Sequence, residues 1–336
     1  MKKVKVAVIG CGKQAPKHIS GLRTVPGVEV AVADLNADIA AALGKREGVE
    51  AYPSVDAVFE DERVDAVSIC TPTASHRELI EKAVASGKDF LCEKPLCESL
   101  EEARDLAKLV ENSGCVGMVG YIYRFAPIFE EAKRLLGDGR ESLVLGKLSV
   151  AHLRLGGRGS HQVWKHRKES SGGAVNEMLV HMIDLALWFF GKPERVQVIA
   201  HELLRPEREI QGERVRVDAE DYALVRLDYP GSIVAFCQAD LVTPAFTQFV
   251  EIQGDQGSFM GSIQPDMPSF VFTQRAVGGY EAGKSALQFG PRNLFEAQMA
   301  EFVQAVRTRS KPDRNTIQDS VWLMEIMNKI KQETNA

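Results

Sequence analysis

Residues 90–98 read FLCEKPLCE, an apolar run that ends in Glu93-Lys94-Pro95. A lysine at the end of a buried strand is a group that can move a proton. Many reactions take a proton from a substrate atom in one direction and return it in the other. A positioned acid/base contributes roughly 10²- to 10⁴-fold to such a step, and desolvation in a partly dry cleft lowers an amine's pKa towards neutrality. Pro95 keeps the residue before it extended, has no N–H to donate, and is a position where a cis bond can sit. The bland reading of Lys94 is a surface ion pair with Glu93, since most lysines are solvated.

A second group lies in AVNEMLVHMIDLALWFF, residues 174–190. At about 100° per residue, Glu177, His181, Asp184 and Trp188 share an arc of roughly 60°. Met178, Met182, Leu185 and Phe189 run beside it, and Leu179, Ile183, Ala186 and Leu187 cover most of the remainder. A helix this apolar is expected to be buried, and three ionisable groups on one face of it need partners or a wet pocket. One buried histidine alone is more often a satisfied core residue; Glu177 and His181 four apart, with Asp184 one turn on, fit a site better. Asp184 either orients His181 or closes a local network.

A third group is the turn in VAVIGCGKQAPKHI, with Gly10, Gly12 and Ala15 on the G-x-G-x-x-G/A spacing directly after a predicted strand. In a dinucleotide site Gly10 allows the tight turn, Gly12 lets the backbone approach the pyrophosphate, and Ala15 keeps helix and strand close. Cys11, Lys13 and Gln14 fill the turn. Asp34 ends the next strand, where a carboxylate would bind the adenine ribose hydroxyls; its bland reading is a helix cap or turn residue. A carboxylate there repels a 2′-phosphate, so NAD is expected over NADP, with NADP left open by Lys13.

The elements that must hold these groups follow an ordered pattern. Val4–Ile9, Val28–Ala33, Val64–Cys70, Asp89–Cys92 and Val116–Val119 are apolar runs separated by helix-like segments, which indicates a parallel sheet covered on both faces. Ser99 and Glu102 look like a capping box, and Gly87 and Gly114 like helix ends. After residue 145 strand-like runs dominate. DYALVRLDYPGSIVAFCQA reads as an antiparallel hairpin around a Pro-Gly turn. Helices are expected near 292–309 and 316–332. The segments 205–219 and 262–291 are undetermined.

Composition sets the limits. The 336 residues exceed one ordinary core, so two domains are expected. A net charge of −5 gives no basic footprint for nucleic acid. None of the six cysteines forms a C-x-x-C pair, and no ligand cluster suggests a metal site. The reading is a reduced, cytoplasmic protein. The N-terminal apolar run is too short for a signal peptide, and no uninterrupted apolar stretch of about 18 residues predicts a membrane span.

Several motifs together resemble the glucose-fructose oxidoreductase/inositol dehydrogenase family, Gfo/Idh/MocA. They are the G-x-G-x-x-A turn with His18 three residues later, TPTASH at 71–76, EKP at 93–95, YIYRFAP at 121–127 and SGGAVNEMLVHMIDLALWFFG at 171–191. Each alone is modest; their order and spacing are specific. The resemblance implies an α/β N-terminal Rossmann domain over 1–121. It implies an α+β domain with a large, mostly antiparallel open sheet over 122–336, closing helices included. It implies NAD- or NADP-linked oxidation or reduction of a hydroxyl or ketone on a sugar, polyol or sugar nucleotide, in the cleft between the domains. Homodimers or homotetramers form through the C-terminal sheet.

By the same resemblance Lys94 is the acid/base, His181 assists it, and Glu177 places substrate. Thr71, Pro72, His76, Glu93 and Lys94 stand near the nicotinamide, and Tyr123, Arg124 and Trp164 are substrate contacts. For Tyr123 and Arg124, packing or a salt bridge is nearly as good a reading; for His76, the first turn of a helix. Glu177 stands where many members have aspartate, Leu179 where glycine is frequent, and Thr73 where asparagine is common. These departures put substrate identity in doubt more than reaction class. The basic loop containing Arg158, His161, Trp164, Lys165, His166, Arg167 and Lys168 reads as a seat for an anionic substrate or as a solvated loop. A non-catalytic sugar or dinucleotide sensor on this fold is one alternative function, and an imine or tetrapyrrole-type reductase is another.

Overall fold

The computed structural model describes residues 3–137, 141–157, 162–170 and 172–334. Arg158 and His161 lie outside the described residues. The chain divides into two compact units, one of residues 1–125 and 291–324, the other of 126–290 and 325–336.

In the first unit, strands β1 (Val4–Ile9), β2 (Val28–Ala33), β3 (Glu50–Ala51), β4 (Ala66–Ile69), β5 (Asp89–Cys92) and β6 (Gly117–Val119) alternate with helices. The helices are α1 (Ala15–Arg23), α2 (Ala37–Glu47), α3 (Val55–Glu60), α4 (His76–Ala85) and α5 (Leu100–Ser113). The strand order is β3-β2-β1-β4-β5-β6, and every pairing is parallel. Every residue of β1, β4 and β5 is buried, as a sheet covered on both faces requires. The Ser99 hydroxyl caps α5 by accepting Glu102 N–H at 3.2 Å, while the Glu102 carboxylate takes the N–H of Glu98, one residue outside the cap. Gly87 and Gly114 have the positive φ expected of helix ends.

The second unit contains α6 (Pro127–Leu136), β7 (Glu141–Ser142), β8 (Gly146–Gly156), α7 (Val180–Phe190), β9 (Arg195–Glu202), β10 (Glu207–Ile210) and β11 (Glu213–Arg216). It continues with β12 (Tyr222–Tyr229), β13 (Ile233–Asp240), β14 (Thr247–Gly254), β15 (Gly257–Gly261), β16 (Phe270–Thr273) and β17 (Gly283–Ala286). Nine strands form one sheet in the order β17-β16-β15-β14-β8-β13-β12-β9, with β7 on β8. The sheet is antiparallel except where β8 meets β13. The β12–β13 hairpin turns at Pro230–Ser232 as its sequence predicts. Its inner residues Ala223, Val225, Leu227, Ala235 and Cys237 are buried and alternate with half-buried outer ones. The stretch Lys168–Phe190 has the length and hydropathy of a membrane span, yet most of it is buried inside the unit.

Helices α8 (Leu294–Thr308) and α9 (Ile317–Thr334) close the chain. The sequence reading put both with the second domain and ended the first at residue 121. The structure instead assigns residues 291–324 to the first unit and moves the boundary to Phe125. The cause is burial: Met299, Phe302, Val303 and Val306 of α8 belong to one hydrophobic cluster with Val4, Val6, Val8, Ile19 and Leu22. The link to α9 is stitched in as well, since Asn315 O accepts Val119 N–H and Arg314 donates to Arg124 O.

Candidate active site

In the order β3-β2-β1-β4-β5-β6, connections reverse direction between β1 and β4, and ligands bind at the carboxyl ends of strands at such a point. The glycine turn follows β1, Thr71-Pro72 follows β4, and Glu93-Lys94-Pro95 follows β5.

At the glycine turn, Gly10 has φ +92°, and a Cβ there would come within 2.8 Å of Thr71 Cγ2 and 2.9 Å of the Cys70 carbonyl carbon. No other residue fits that approach. At Gly12 a Cβ would meet nothing within 4 Å, so the backbone lies open. The N-terminus of α1 has no side-chain cap, an acid-free first turn and a proline at its start. Open amides and an unneutralised helix dipole suit a pyrophosphate. Asp34 is not a helix cap; Asn36 is. The Asp34 carboxylate accepts Cys11 N–H at 2.7 Å and Asn36 N–H at 2.9 Å. It is thereby fixed beside the turn, with lone pairs left for ribose hydroxyls. These residues fit a dinucleotide.

Behind the lysine turn lies a buried polar chain. His18 of α1 is fully buried; its Nδ1 is 2.8 Å from Ser68 Oγ and its Nε2 2.9 Å from Glu93 Oε1. Burial would lower the His18 pKa, but Cys70 and the Glu93 carboxylate outweigh it and raise it to about 10. Burial would likewise raise the Glu93 carboxyl; His18, then Lys94, hold it below its ordinary range. Glu93 Oε2 faces the Lys94 backbone N–H at 3.3 Å. The Lys94–Pro95 bond is cis, and Lys94 itself is half-exposed.

Other predicted contacts sit differently. His76 starts α4 and is 1% exposed, with Nδ1 2.9 Å from Pro95 O and Nε2 2.9 Å from Thr71 O. Burial lowers its pKa against the pull of both carbonyls. It is packed behind the turn against these two backbone carbonyls. Arg124 is also 1% exposed and donates to Asp319 at 3.1 Å, the salt-bridge role left open by the sequence. Tyr123 is half-buried, and burial pushes its hydroxyl up to about 12.

In the second unit, Glu177, His181 and Trp188 are half-exposed, while Asp184 is buried. The expected face is present, but Val175–Leu179 forms a π-type turn before α7. Such a turn closes i→i+5, so Glu177 and His181 depart from the even 100° ladder. Lys165 Nζ donates to the Glu177 carboxylate and lies 5.2 Å from the centroid of the Trp164 ring, which is itself 46% exposed. One lysine of the basic loop is thus paired with Glu177.

Sequence reasoning missed Glu220. Its carboxylate accepts Val175 N–H at 3.0 Å, and its carbonyl accepts Ala174 N–H at 2.9 Å, capping the site helix from across the unit. Burial raises its carboxyl, with Val175 N–H and His201 acting against that. Gly173, φ +108°, makes room for it. No local signal marks a cap supplied from a distant loop.

A doubly wound parallel sheet with a glycine turn after β1, an acid after β2 and a lysine turn after β5 is the frame of a dinucleotide-dependent oxidoreductase. Residues 4–121 match the oxidoreductase family with the NAD-binding Rossmann fold, Gfo/Idh/MocA, and residues 129–260 match its C-terminal domain. The chain is 31% identical to scyllo-inositol 2-dehydrogenase (NAD(+)) of Bacillus subtilis over 271 residues, 78% of this chain and 75% of that protein. It is 28% identical to inositol 2-dehydrogenase of Rhizobium meliloti over 265 residues, 78% and 76% of the two chains. The solved structure of levoglucosan dehydrogenase with NADH and levoglucosan superposes with a TM-score of 0.87 at 20% identity, covering 98% of this chain and 97% of that one. This protein belongs to the Gfo/Idh/MocA oxidoreductase family, and its first unit is that family's NAD-binding Rossmann domain.

Asp34 yields a direct test of cofactor choice. Asp34→Asn removes the charge and one of the two acceptors, since Oδ2 takes Cys11 N–H and Oδ1 takes Asn36 N–H and an amide has a single oxygen. The ratio of NADP to NAD affinity is expected to rise by about tenfold, a difference of about 1.4 kcal/mol. Parallel titrations of NADH and NADPH measure it, and an unchanged ratio removes Asp34 as the discriminating group.

Proposed function

We propose that this protein is an NAD-dependent dehydrogenase of polyols or sugars in which Lys94 moves the proton. NAD, when bound, supplies the hydride acceptor. The observation that carries the reading is the alignment of three strand ends in one sheet: the open glycine turn after β1, Thr71-Pro72 after β4 and the lysine turn after β5. Gly10–Ala15 and Asp34 hold the dinucleotide; Thr71, Pro72 and Glu93 stand with the same strand ends. Lys94, deprotonated, takes the hydroxyl proton during oxidation and returns it during reduction. Glu177 and His181 hold substrate hydroxyls, with His181 assisting the proton, and Trp164 gives the ring of a sugar an apolar face. Lys165 balances the Glu177 charge, which suits a neutral polyhydroxylated substrate. The inositol dehydrogenases among its relatives support that class. Arg124 acts through the packing of its own unit.

The test is NADH appearance at 340 nm with NAD and a panel of inositols, aldoses, anhydrosugars, sugar phosphates and nucleotide sugars. Turnover of a neutral polyol or sugar is the expected result. Dinucleotide binding without turnover on any of them would move the reading to a sensor.

The six cysteines are free, which fits a reducing compartment, and we place the protein in the cytoplasm. We assign the outer face of the nine-stranded sheet to a second copy of the chain. Leu224, Val234, Phe236 and Phe249 stand there half-buried, beside Ile199 at 47% exposure. Light scattering is expected to give at least a dimer, and Phe236→Glu a smaller species; a wild-type monomer overturns this assignment.

A further inference from the structure

Two buried histidines touch the lysine turn from opposite ends. His18 comes from α1, the helix whose open N-terminus suits a pyrophosphate, and its Nε2 lies 2.9 Å from the Glu93 carboxylate. His76 comes from the start of α4, and its Nδ1 lies 2.9 Å from the Pro95 carbonyl. Each ring has a second anchor: Ser68 Oγ for His18, and Thr71 O, just past β4, for His76. On its other side Glu93 is backed by Gly120, where a Cβ would lie 3.2 Å from the Glu93 carboxyl carbon. Glu93 and Pro95 are thus fixed, and Lys94 is the residue between them. Neither histidine is exposed enough to meet a ligand itself.

We propose that His18 and His76 are positioning residues that clamp the Glu93-Lys94-Pro95 turn and set where the Lys94 amine stands. The proposal rests on the reading of Lys94 as the proton-moving group. The clamp uses both ends because either contact alone leaves the turn free to pivot about the other. His18 supplies an ionic anchor to a side chain, and the charged pair is shielded from water, so it is short and directional. His76 supplies an anchor to the backbone: its ring spans Pro95 O and Thr71 O, and in the neutral form its one N–H donates to one of them. The His18 anchor also joins the lysine turn to the helix that begins at the glycine turn, so the two chemical groups share one rigid mount.

The test needs neither substrate nor turnover, so a failed dehydrogenase assay does not affect it. The full-length protein is acylated at pH 8 with limiting acetic anhydride, and the rate at each lysine is read by peptide mass spectrometry. Exposed Lys45 and Lys108 serve as internal references. In His18→Gln and in His76→Gln, the Lys94 rate relative to the references is expected to change by at least about threefold. His18→Gln/Glu93→Gln replaces the ion pair with a neutral amide pair and is compared with a folded His18→Gln. It is expected to bring the Lys94 rate back towards wild type, since the contact is restored without charge. If His18→Gln is lost, a folded His76→Gln carries the test, and the double variant is read only beside a folded His18→Gln. A Lys94 rate unchanged in both folded single variants overturns the clamp. So does a change of the same size at Lys45 and Lys108, which would mean general loosening.

Discussion

Lys94→Ala is expected to lower kcat for polyol oxidation by about 10²- to 10⁴-fold, the range a positioned acid/base contributes, while NADH binds with unchanged Kd. The two effects separate because different residues carry them. The glycine turn and Asp34 are formed from β1, β2 and the start of α1. The lysine turn is held from behind by His18 and His76. Lys94→Arg is the sharper variant. It keeps the charge and much of the reach, but a guanidinium does not release its proton at ordinary pH. It is expected to be as inactive as the alanine variant. Steady-state rates and NADH fluorescence titration measure the pair of effects. Near-normal kcat in either variant on a substrate the wild type turns over would remove the proton from Lys94.

Gly173→Ala carries the largest expected loss of stability. The φ of +108° is a conformation that side chains rarely take, and a Cβ there would lie 2.2 Å from Glu220 Oε1. The backbone alone costs about 1–3 kcal/mol. Displacing the Glu220 carboxylate also weakens its bond to Val175 N–H, and a hydrogen bond to a charged group contributes about 1.5–3 kcal/mol. Tm is expected to fall by about 5 °C or more for a unit of this size, with activity reduced because the turn carrying Glu177 begins two residues beyond Gly173. Glu220→Ser alone removes the same bond without the backbone cost, so it should lose less than Gly173→Ala. A Tm within about 1 °C of wild type, well short of the predicted fall, would show that Glu220 does not cap the site helix.

Much of the first unit was legible because its signals are local. Val4–Ile9, Val28–Ala33 and Asp89–Cys92 are strands with the predicted ends. The glycine turn, Asp34 and the lysine turn follow strands where their chemistry requires them. What was not legible depends on partners far along the chain. The apolar face of α8 announces burial but not against which unit, so its place with β1 and α1 came only from packing. For Arg124 the sequence leaves ligand contact and salt bridge nearly even, and only the fold brings Asp319 beside it. His76 and Glu220 act on backbone groups brought near by the fold. The β10–β11 hairpin went unread because Glu207–Ile210 and Glu213–Arg216 are mostly charged and give no apolar alternation. Only Gln211 and Gly212, both at positive φ, mark its turn.

The assignment of 291–324 to the first unit bears on how the protein is made. A ribosome releases Val4, Ile19 and Leu22 long before Met299, Phe302 and Val306, which lie in the same hydrophobic cluster. The whole nine-stranded sheet is synthesised in between. During that interval the nascent cofactor-binding end carries an apolar surface that its own segment does not cover, the kind of surface chaperones hold. A message cut after codon 125 would therefore encode a sticky fragment rather than a free-standing NAD-binding domain.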